Sequence, residues 1–579
     1  MVREKSSTFA GEIIKTKRHT MMKKIIFLMV MSLVTVRVIA QNELPQWAQE
    51  LVSKNPEVIE SVVPMTPNPT VYGTQTFMIY YKQPVNHSTP NSPKFSLRAT
   101  ITVFNDADVT TAVNQVFIGG YALPEWWLTE ADYRYSLMKE SPNGEIAHRY
   151  HGTLIWPEYR YFQYSSPSNC YENLDDLRSQ EAADDFHNLL EALKTVFKGK
   201  WVVSGGSKGG TATLLQHAFH PEDADVFVPY CAPFFDTYCD KEMQHYWYNN
   251  GLNQEIRNLF MSIRRVGIAR MDNIYPIFYK MTKTNGVSDD EAYGRYLSSI
   301  AHFGFSELAY SDINEFYNDV ISNRKILASN NVQEEDNDTL YAIMLLNNTY
   351  KLEKKSFQEW YTWLRYSKPQ NAPSRRPVKI ARRPFGVTEA EWWGNQKIGE
   401  AEQAYDYQSK TELGYYDLCF DEIVSPEAVD SWNEAYKKYV GNLRDFYSPY
   451  FASCAFDRSL YDRAVSTTQN ATKPIIFIYG KDDPWTGAAM RDKYINGTNV
   501  RKFILPGQNH GVHFTSNTDM GQCNTIRQLL DDWLLVPEGI DEIKAVKGQS
   551  GKVLRNGHIY IMRNGKMYNT AGMLVPSGN

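Results

Sequence analysis

The chain has 579 residues, of which 42% are hydrophobic and 13% are aromatic, so it is long enough to bury one large core or two. Its formal net charge is −5, and acidic and basic residues are interspersed along the sequence. This balance excludes a strongly basic surface of the kind that binds nucleic acid, so we expect no nucleic-acid partner.

The N-terminal region has the pattern of an export signal. A pair of lysines follows Met21 and Met22 and precedes an apolar run that ends at Ala40. This pattern predicts a leader and signal peptide at 1–40, translation from one of the two methionines, and a mature chain that begins at Gln41. An anchoring helix that is never cleaved is the alternative. No later stretch is long and apolar enough to span a bilayer, so we expect a protein of the periplasm, the cell surface or the medium.

Six cysteines are spread along the chain, and their spacing matches no zinc-binding pattern. An oxidising compartment permits disulfides between them, and Cys231 and Cys239 are the closest pair in sequence. Buried free thiols are equally consistent with the sequence, so the state of the cysteines stays open.

Strand patterns begin soon after the predicted signal. Residues 74–85 and 95–104 are β-like runs separated by a polar linker, which predicts a long antiparallel hairpin. Shorter apolar runs at 114–121 and 153–162 predict two further strands. Apolar residues at helical spacing then predict a helix that ends near Phe197, with one face packed against the core.

A strand at 201–204 follows that helix, and this alternation of strand and helix is typical of a parallel sheet. Further strands are predicted at 225–233, 474–480 and 502–507, and a final amphipathic helix at 525–534 covers one face. We therefore expect an α/β fold with a mostly parallel central sheet. Because parallel strands present their carboxyl ends at one edge, functional residues are expected just after them.

A change of pattern divides the chain into domains. Long polar helical stretches rich in Tyr and Trp occupy 236–464. They predict a helical cap inserted between two neighbouring strands, because βαβ connections are normally far shorter. Residues 41–235 and 465–540 then form the two parts of the catalytic domain. Two β-like runs around a turn predict a small β appendage at 541–579.

The segment WVVSGGSKGGTATLL at 201–215 places a serine and a lysine among four glycines. Gly205, Ser207 and Gly209 fit the motif GxSxG, in which a serine lies at a sharp turn from a strand to a helix. Small neighbours are needed where the two elements crowd together, and the helix N-terminus directs backbone N–H groups toward developing negative charge. Ser207 is therefore the predicted nucleophile of an α/β hydrolase fold with a large helical cap.

A serine hydroxyl needs a base, and the base works best when a carboxylate fixes its tautomer. Asp483 and His510 follow two later predicted strands, which gives the Ser, Asp, His order of this fold. Asp482 and His513 are the alternatives. Asp483 is favoured by its place in the turn after the strand, and His510 because it comes sooner after its strand.

The negative oxygen of a tetrahedral intermediate needs two N–H donors. One is expected from the backbone of Lys208, the residue after the nucleophile, and the other from Gly120 or Tyr121 in the loop after the early strand. The side chain of Lys208 is expected to reach solvent or a carboxylate. This chemistry requires no metal and no cofactor.

The region SGGSKGGTATLLQHAFHPEDADVFVPYCAPF is similar to the elbow region of the secreted bacterial tripeptidyl aminopeptidases, a proline-preferring family of serine peptidases with the α/β hydrolase fold. The similarity extends from about residue 70 to about residue 535 and is densest there, at GKDDPW and at NHGVHF. PEYRYFQYSSP also resembles the related lysosomal carboxypeptidase and dipeptidyl peptidase group. The resemblance implies Ser207 as the nucleophile, Asp483 as the orienting acid and His510 as the base.

The resemblance also implies release of short peptides, in particular proline-containing tripeptides, from free N-termini. Such an exopeptidase needs a carboxylate for the substrate ammonium, and Glu412 is the candidate among the acids of the predicted cap. A solvated helix face is the alternative for this residue. A carboxylesterase or lipase with the same triad, and a non-catalytic surface binding protein, are the alternative functions. The oligomeric state stays open.

Overall fold

The structure is a computed structural model. It describes residues 44–65, 73–123, 141–167, 176–237, 246, 254–282, 289–301, 303, 334–347, 404–405, 407–414, 456–495, 499–516, 518–535, 551–555, 558–563, 566–568 and 574–575. The predicted signal peptide at 1–40 and four of the six cysteines, Cys170, Cys239, Cys419 and Cys454, lie outside these residues. The two cysteines inside them, Cys231 and Cys523, are buried free thiols.

The central sheet of the described residues has nine strands. They are β1 (Ile59–Pro64), β2 (Thr74–Pro84), β3 (Lys94–Phe104), β4 (Asn114–Ile118), β5 (Thr153–Pro157), β6 (Trp201–Gly206), β7 (Val226–Tyr230), β8 (Ile475–Gly480) and β9 (Val500–Leu505). Their order across the sheet is β1-β2-β3-β5-β4-β6-β7-β8-β9. Pairing is antiparallel from β1 to β5 and parallel from β5 to β9. The predicted α/β fold with a mostly parallel sheet is confirmed.

The predicted hairpin forms the antiparallel side of this sheet. β2 and β3 pair along their whole length, from Thr74 opposite Phe104 to Pro84 opposite Lys94. Buried apolar side chains from both strands, such as Ile79 and Leu97, belong to the main hydrophobic core. The two β-like runs and the polar linker between them therefore predicted this hairpin correctly.

Strands β7 and β8 lie side by side, although the predicted cap separates them in sequence. Phe227 pairs with Ile475, and Tyr230 pairs with Ile478. Every residue of both strands is buried, as is typical of parallel strands that are covered on both faces. The chain thus leaves the sheet after β7 and returns to the neighbouring position, as predicted for an insertion. The domain boundaries themselves remain a prediction.

Helices cover the sheet and make up the described part of the insertion. They are α1 (Gln46–Lys54), α2 (Glu145–Arg149), α3 (Ser179–Lys194), α4 (Lys208–Phe219), α5 (Gln254–Ala269), α6 (Met271–Thr282), α7 (Asp289–Ala301), α8 (Glu334–Asn347), α9 (Ser459–Gln469) and α10 (Met520–Leu534). The apolar face predicted before Phe197 is found on α3, where Phe186 and Leu193 are buried in the main core. No helix within the described ranges combines the length and the apolar character needed to cross a bilayer.

Helix α9 spans the predicted end of the cap and packs against helix α4 of the catalytic domain. The ring of Tyr461 stacks on that of Phe234 with centroids 4.4 Å apart, and Arg463 donates a hydrogen bond to the carbonyl oxygen of Ala218. The returning chain is therefore fixed to the elbow helix before it enters β8.

A second, smaller sheet lies near the C-terminus. Its strands are β10 (Gly551–Arg555), β11 (His558–Arg563), β12 (Lys566–Tyr568) and β13 (Leu574–Val575), and neighbouring strands pair antiparallel. The sequence predicted two β-like runs here, whereas the described residues contain four short strands. Two Asn-Gly pairs, each typical of a tight hairpin turn, account for three of these strands, and the fourth follows residues 569–573.

Candidate active site

Ser207 lies at the sharp turn between β6 and α4. Its φ is 57° and its ψ is −125°, a backbone conformation that non-glycine residues rarely adopt. The backbone N–H of Ser207 donates a hydrogen bond of 2.9 Å to the carbonyl oxygen of Tyr230, the last residue of β7. The turn therefore has the strained geometry of a nucleophile elbow, as the GxSxG motif predicts.

The glycines around Ser207 allow three backbones to pack together. A Cβ atom at Gly209 would lie 1.8 Å from the carbonyl oxygen of Ile118 in β4, and one at Gly205 would lie 2.3 Å from the carbonyl oxygen of Gly209. Larger residues at these positions would force the start of α4 away from β4 and β6. The glycines thus keep the nucleophile close to the loop that follows β4.

Asp483 and His510 are joined by a hydrogen bond. The distance between Asp483 Oδ2 and His510 Nδ1 is 2.8 Å, and the other carboxylate oxygen accepts a bond of 3.0 Å from the backbone N–H of Trp485. The Asp483 side chain is fully buried, and the imidazole is only 7% exposed. This arrangement fixes both the orientation and the tautomer of the imidazole.

The two alternative residues occupy different positions. Asp482 is half-buried, its pKa is raised by burial, and its backbone N–H donates to the carbonyl oxygen of Gln508. The ring of His513 pairs with the hydroxyl of Thr515 at 2.7 Å. The geometry therefore favours Asp483 and His510 over these alternatives as the acid and base pair.

Consecutive residues at the end of β7 connect the elbow to the histidine loop. Tyr230 accepts the hydrogen bond from Ser207, and the next residue, Cys231, donates through Sγ to the carbonyl oxygen of His510 at 3.5 Å. Ser207, Asp483 and His510 each follow the carboxyl end of a parallel strand. The three predicted catalytic residues therefore lie at one edge of the sheet.

The loop after β4 contacts the start of the elbow helix. Gly120 has a φ of +81°, and a Cβ atom there would lie 2.8 Å from the backbone nitrogen of Gly209. The carbonyl oxygen of Tyr121 accepts a bond of 3.1 Å from the N–H of Tyr159. Both candidate positions for the second oxyanion donor therefore lie next to the elbow, in a loop that is fixed on its far side.

The Lys208 side chain is buried rather than solvent-exposed, so the expectation that it reaches solvent is wrong. It is 3% exposed, because it folds back under the loop after β4 and its Nζ donates a hydrogen bond of 2.5 Å to the carbonyl oxygen of Gly120. Burial lowers the pKa of the ammonium well below its usual range, while the negative charge of Glu412 raises it. The Nζ therefore donates to a backbone carbonyl oxygen, whereas solvent or a carboxylate was expected.

Glu412 lies on a short π-helical turn, Ser409–Leu413, and remains partly accessible to solvent. Its Oε1 accepts bonds of 2.7 Å and 2.6 Å from the backbone N–H and the hydroxyl of Ser179, the first residue of α3. Burial raises the pKa of Glu412 to about 7, although the hydrogen bonds from Ser179 lower it. A carboxyl group that titrates near neutral pH beside the elbow lysine is a candidate functional group.

Sequence reasoning missed Glu145, a buried carboxyl group beneath the histidine loop. It accepts hydrogen bonds from the hydroxyl of Tyr230 and from the backbone N–H groups of Phe514 and Thr515. Burial raises its pKa to about 7, against the hydrogen bonds that lower it. Nothing in the sequence separates this residue from an ordinary acid in the first turn of a helix, since its partners lie far away along the chain.

Two groups of side chains within the described ranges have ligand atoms close enough to hold a metal ion. Cys231, Asp483 and His510 form one, and His187, His220 and Asp223 form the other, with ligand atoms within 4.8 Å of one another in each. Burial and the Asp483 charge raise the pKa of the Cys231 thiol well above its usual range, which weakens it as a ligand because metals bind the thiolate. The acid and base chemistry of Asp483 and His510 needs no metal.

Comparison with known proteins gives two sequence matches. The family model for PS-10 peptidase S37 matches residues 60–294, a range that includes the elbow and the loop after β4. A prolyl tri/tetrapeptidyl aminopeptidase from Streptomyces mobaraensis is 24% identical over 449 residues, which cover 76% of this chain and 76% of the relative.

The solved structures that align along most of the chain include a hydrolase and an esterase. A peroxisomal α/β-hydrolase from Saccharomyces cerevisiae is 11% identical, with 82% of this chain and 94% of that chain covered and a TM-score of 0.33. A rice cell wall degrading esterase from Xanthomonas oryzae is 10% identical, with 80% and 91% covered and a TM-score of 0.30. The sequence matches confirm the resemblance to the tripeptidyl aminopeptidases and point to a serine peptidase.

Proposed function

We propose that the chain is a secreted exopeptidase that releases short peptides, chiefly proline-containing tripeptides, from free N-termini. The observation that best supports catalysis is the hydrogen bond of 2.8 Å between Asp483 and His510, at the sheet edge where the elbow serine Ser207 follows β6. The exopeptidase activity and the preference for proline rest on the resemblance to the Streptomyces aminopeptidase, and export rests on the sequence pattern at 1–40.

In the proposed reaction, His510 Nε2 accepts the proton of the Ser207 hydroxyl as its oxygen attacks the scissile carbonyl carbon. Asp483 keeps Nδ1 of the imidazole protonated and stabilises the imidazolium that forms. The backbone N–H of Lys208 and one N–H from the loop after β4 bind the negative oxygen. His510 then protonates the leaving amine, and a water molecule activated by the same imidazole hydrolyses the acyl-enzyme.

We propose Glu412 as the receptor for the substrate's α-ammonium. The bonds from Ser179 end on Oε1, so Oε2 is the oxygen that we assign to the ammonium. Because the pKa of Glu412 is about 7, binding of free N-termini is expected to tighten as the pH rises through 7 and the carboxylate forms.

One experiment tests these assignments together. A defined peptide with proline at the third position is incubated with the enzyme, once with a free and once with an acetylated N-terminus, and the products are identified by mass spectrometry. We expect a tripeptide from the free peptide only, and a loss of about a millionfold in kcat for Ser207→Ala. Glu412→Gln should raise KM for the free peptide by about tenfold or more, with Glu191→Gln on the exposed face of α3 as the control.

Three results would contradict the proposal. If the Ser207→Ala variant retains substantial activity, Ser207 is not the nucleophile. Equal cleavage of the acetylated peptide would exclude an exopeptidase. Hydrolysis of short-chain nitrophenyl esters without hydrolysis of peptides would favour an esterase on the same fold.

A further inference from the structure

The environment of the Lys208 ammonium is unusual for a residue beside a nucleophile. Four aromatic rings surround Nζ, at 3.9 Å from the ring centroid of Tyr159, 4.4 Å from Phe162, 5.1 Å from Tyr121 and 5.8 Å from Tyr405. The polar partner among the described residues is the carbonyl oxygen of Gly120, at 2.5 Å. The ammonium is thus directed at one backbone carbonyl in apolar surroundings.

A buried cation at this place opposes folding unless its interactions offset the loss of hydration. The faces of the surrounding rings attract a desolvated ammonium, and its hydrogen bond to the Gly120 carbonyl adds to this attraction. An uncharged Met or Leu would fill the space among the rings without this desolvation. The presence of lysine therefore points to a requirement for the hydrogen bond to Gly120 rather than for packing alone.

That hydrogen bond controls the direction of a neighbouring N–H group. The peptide that joins Gly120 to Tyr121 is planar, and in its trans form the Gly120 carbonyl and the Tyr121 N–H point in opposite directions. Because Gly120 has a φ of +81° and no side chain, this peptide plane would otherwise rotate at little energetic cost. With the carbonyl held by Lys208, the N–H of Tyr121 is fixed on the face of the peptide that points away from the ammonium.

The rest of the loop is fixed by other contacts. The Tyr121 carbonyl accepts from the Tyr159 N–H at 3.1 Å, and the Leu123 N–H donates to the buried Glu158 carboxylate at 3.0 Å. These bonds hold the loop beyond Tyr121, and the hydrogen bond from Lys208 holds the carbonyl of the preceding peptide. Each side of the Tyr121 N–H is therefore anchored by a separate interaction.

We propose that Lys208 is a positioning residue for the oxyanion hole: its ammonium holds the Gly120 carbonyl so that the N–H of Tyr121, together with the N–H of Lys208 itself, faces the negative oxygen of the tetrahedral intermediate. One residue thus supplies the first donor through its backbone and orients the second through its side chain. The proposal rests on the proposed function, because it assumes acyl transfer to Ser207.

The test replaces Lys208 by Met, which keeps the backbone N–H and an unbranched side chain of similar size but cannot donate to Gly120. We expect kcat on a proline-containing tripeptide anilide to fall about tenfold to a hundredfold, somewhat less than complete loss of an oxyanion donor. KM should stay within about threefold. Lys198→Met, on the exposed surface after α3, should leave both constants unchanged.

A second measurement separates positioning from a merely structural effect. A tripeptide aldehyde adds to the Ser207 hydroxyl and places its oxygen in the oxyanion hole, whereas the tripeptide product does not. In Lys208→Met, the inhibition constant of the aldehyde should rise by the factor by which kcat/KM falls, and that of the product should stay constant. Lys208→Arg, which keeps a charged donor, should retain more of kcat than Lys208→Met.

Several outcomes would overturn the proposal. A wild-type kcat in Lys208→Met would exclude it, as would equal weakening of the aldehyde and the product. If Lys208→Arg is as impaired as Lys208→Met, the lysine is assigned to packing. The same conclusion follows if neither variant folds. The proposed function itself fails if the folded wild-type protein neither cleaves peptides nor reacts with a fluorophosphonate. That result differs from an active wild-type enzyme whose Lys208→Met variant has unchanged kinetic constants.

Discussion

The two halves of the candidate site are held in place by different kinds of contact. The elbow half consists of Ser207, Lys208 and the loop after β4, and in it backbone approaches backbone, so that a Cβ atom at Gly209 would lie 1.8 Å from the carbonyl oxygen of Ile118. Its geometry depends on the absence of side-chain atoms. We therefore expect this half to be sensitive to added volume.

The histidine half consists of Asp483, His510 and their loops, and it is held by carboxyl groups. The Asp483 carboxylate accepts from both the imidazole and the Trp485 N–H, and Glu145 accepts from the backbone that follows His510. Its geometry depends on charge and hydrogen bonding. We therefore expect it to be sensitive to isosteric substitution and to pH, and three predictions test the difference.

The largest effect is expected for Asp483→Asn in the histidine half. The amide has nearly the shape of the carboxylate, but it donates a proton to Nδ1 and so favours the wrong imidazole tautomer. We expect kcat to fall about ten-thousandfold while the thermal midpoint changes little. Asp482→Asn is the matched control, and a larger loss in that variant would reverse the assignment of the two aspartates.

In the elbow half, a single methyl group should suffice to disrupt the fold. Gly209→Ala places a Cβ atom against the Ile118 carbonyl, and we expect the free energy of unfolding to fall by about 3 kcal/mol or more. Gly206→Ala is the control, because a Cβ atom there would lie 3.7 Å from a ring carbon of Phe117, an ordinary contact. Denaturant unfolding measures both variants, and equal stability would contradict the steric account.

The smallest and most pH-dependent effect is expected for Glu145→Gln. The pKa of Glu145 is raised from 4.5 to about 7, so the folded protein holds a proton that the unfolded chain releases. Its contribution to stability is complete below 4.5 and is lost as the pH rises through 7, by up to about 3 kcal/mol. Because Gln does not titrate, the free energy of unfolding of the Glu145→Gln variant should not fall in this way as the pH rises.

We expect Glu145→Gln to be destabilised by about 1 to 3 kcal/mol at about pH 5, where one of the two N–H groups of the loop loses its acceptor. The difference from wild type should shrink or change sign at about pH 8. Unfolding measured across this range tests the prediction, with the exposed Glu191→Gln as the control. A difference independent of pH would show that Glu145 is ionised throughout.

The sequence predicted those parts of the site whose signal is local. The GxSxG motif, its flanking strand and helix, and the polar residues after two later strands predicted Ser207, Asp483 and His510 as the catalytic group, and each of them follows the carboxyl end of a parallel strand. Lys208 was misjudged in part because the rings around it come from separate segments, at Tyr121, around Tyr159 and at Tyr405. No pattern along the chain reports such a convergence.

Prediction from the sequence was limited in the same way for the two carboxyl groups. Glu412 was selected only as one acid among many, and its contact with the N-terminus of α3 depends on packing between segments far apart in sequence. Nothing in the sequence pointed to Glu145, because its partners lie at the end of β7 and in the loop after β9, far from its own segment. Sequence periodicity reports which face of an element is buried, and it does not report which buried polar groups meet.

The direct pairing of β7 with β8 also bears on the order in which the candidate site is assembled during folding. The elbow and the loop after β4 are complete in the early part of the chain, whereas the acid and the base emerge only after the long insertion. Pairing across such a sequence separation is slow, because the intervening chain must be ordered first. The predicted nucleophile is therefore expected to be in place before the predicted base, and docking of β8 and β9 completes the candidate site.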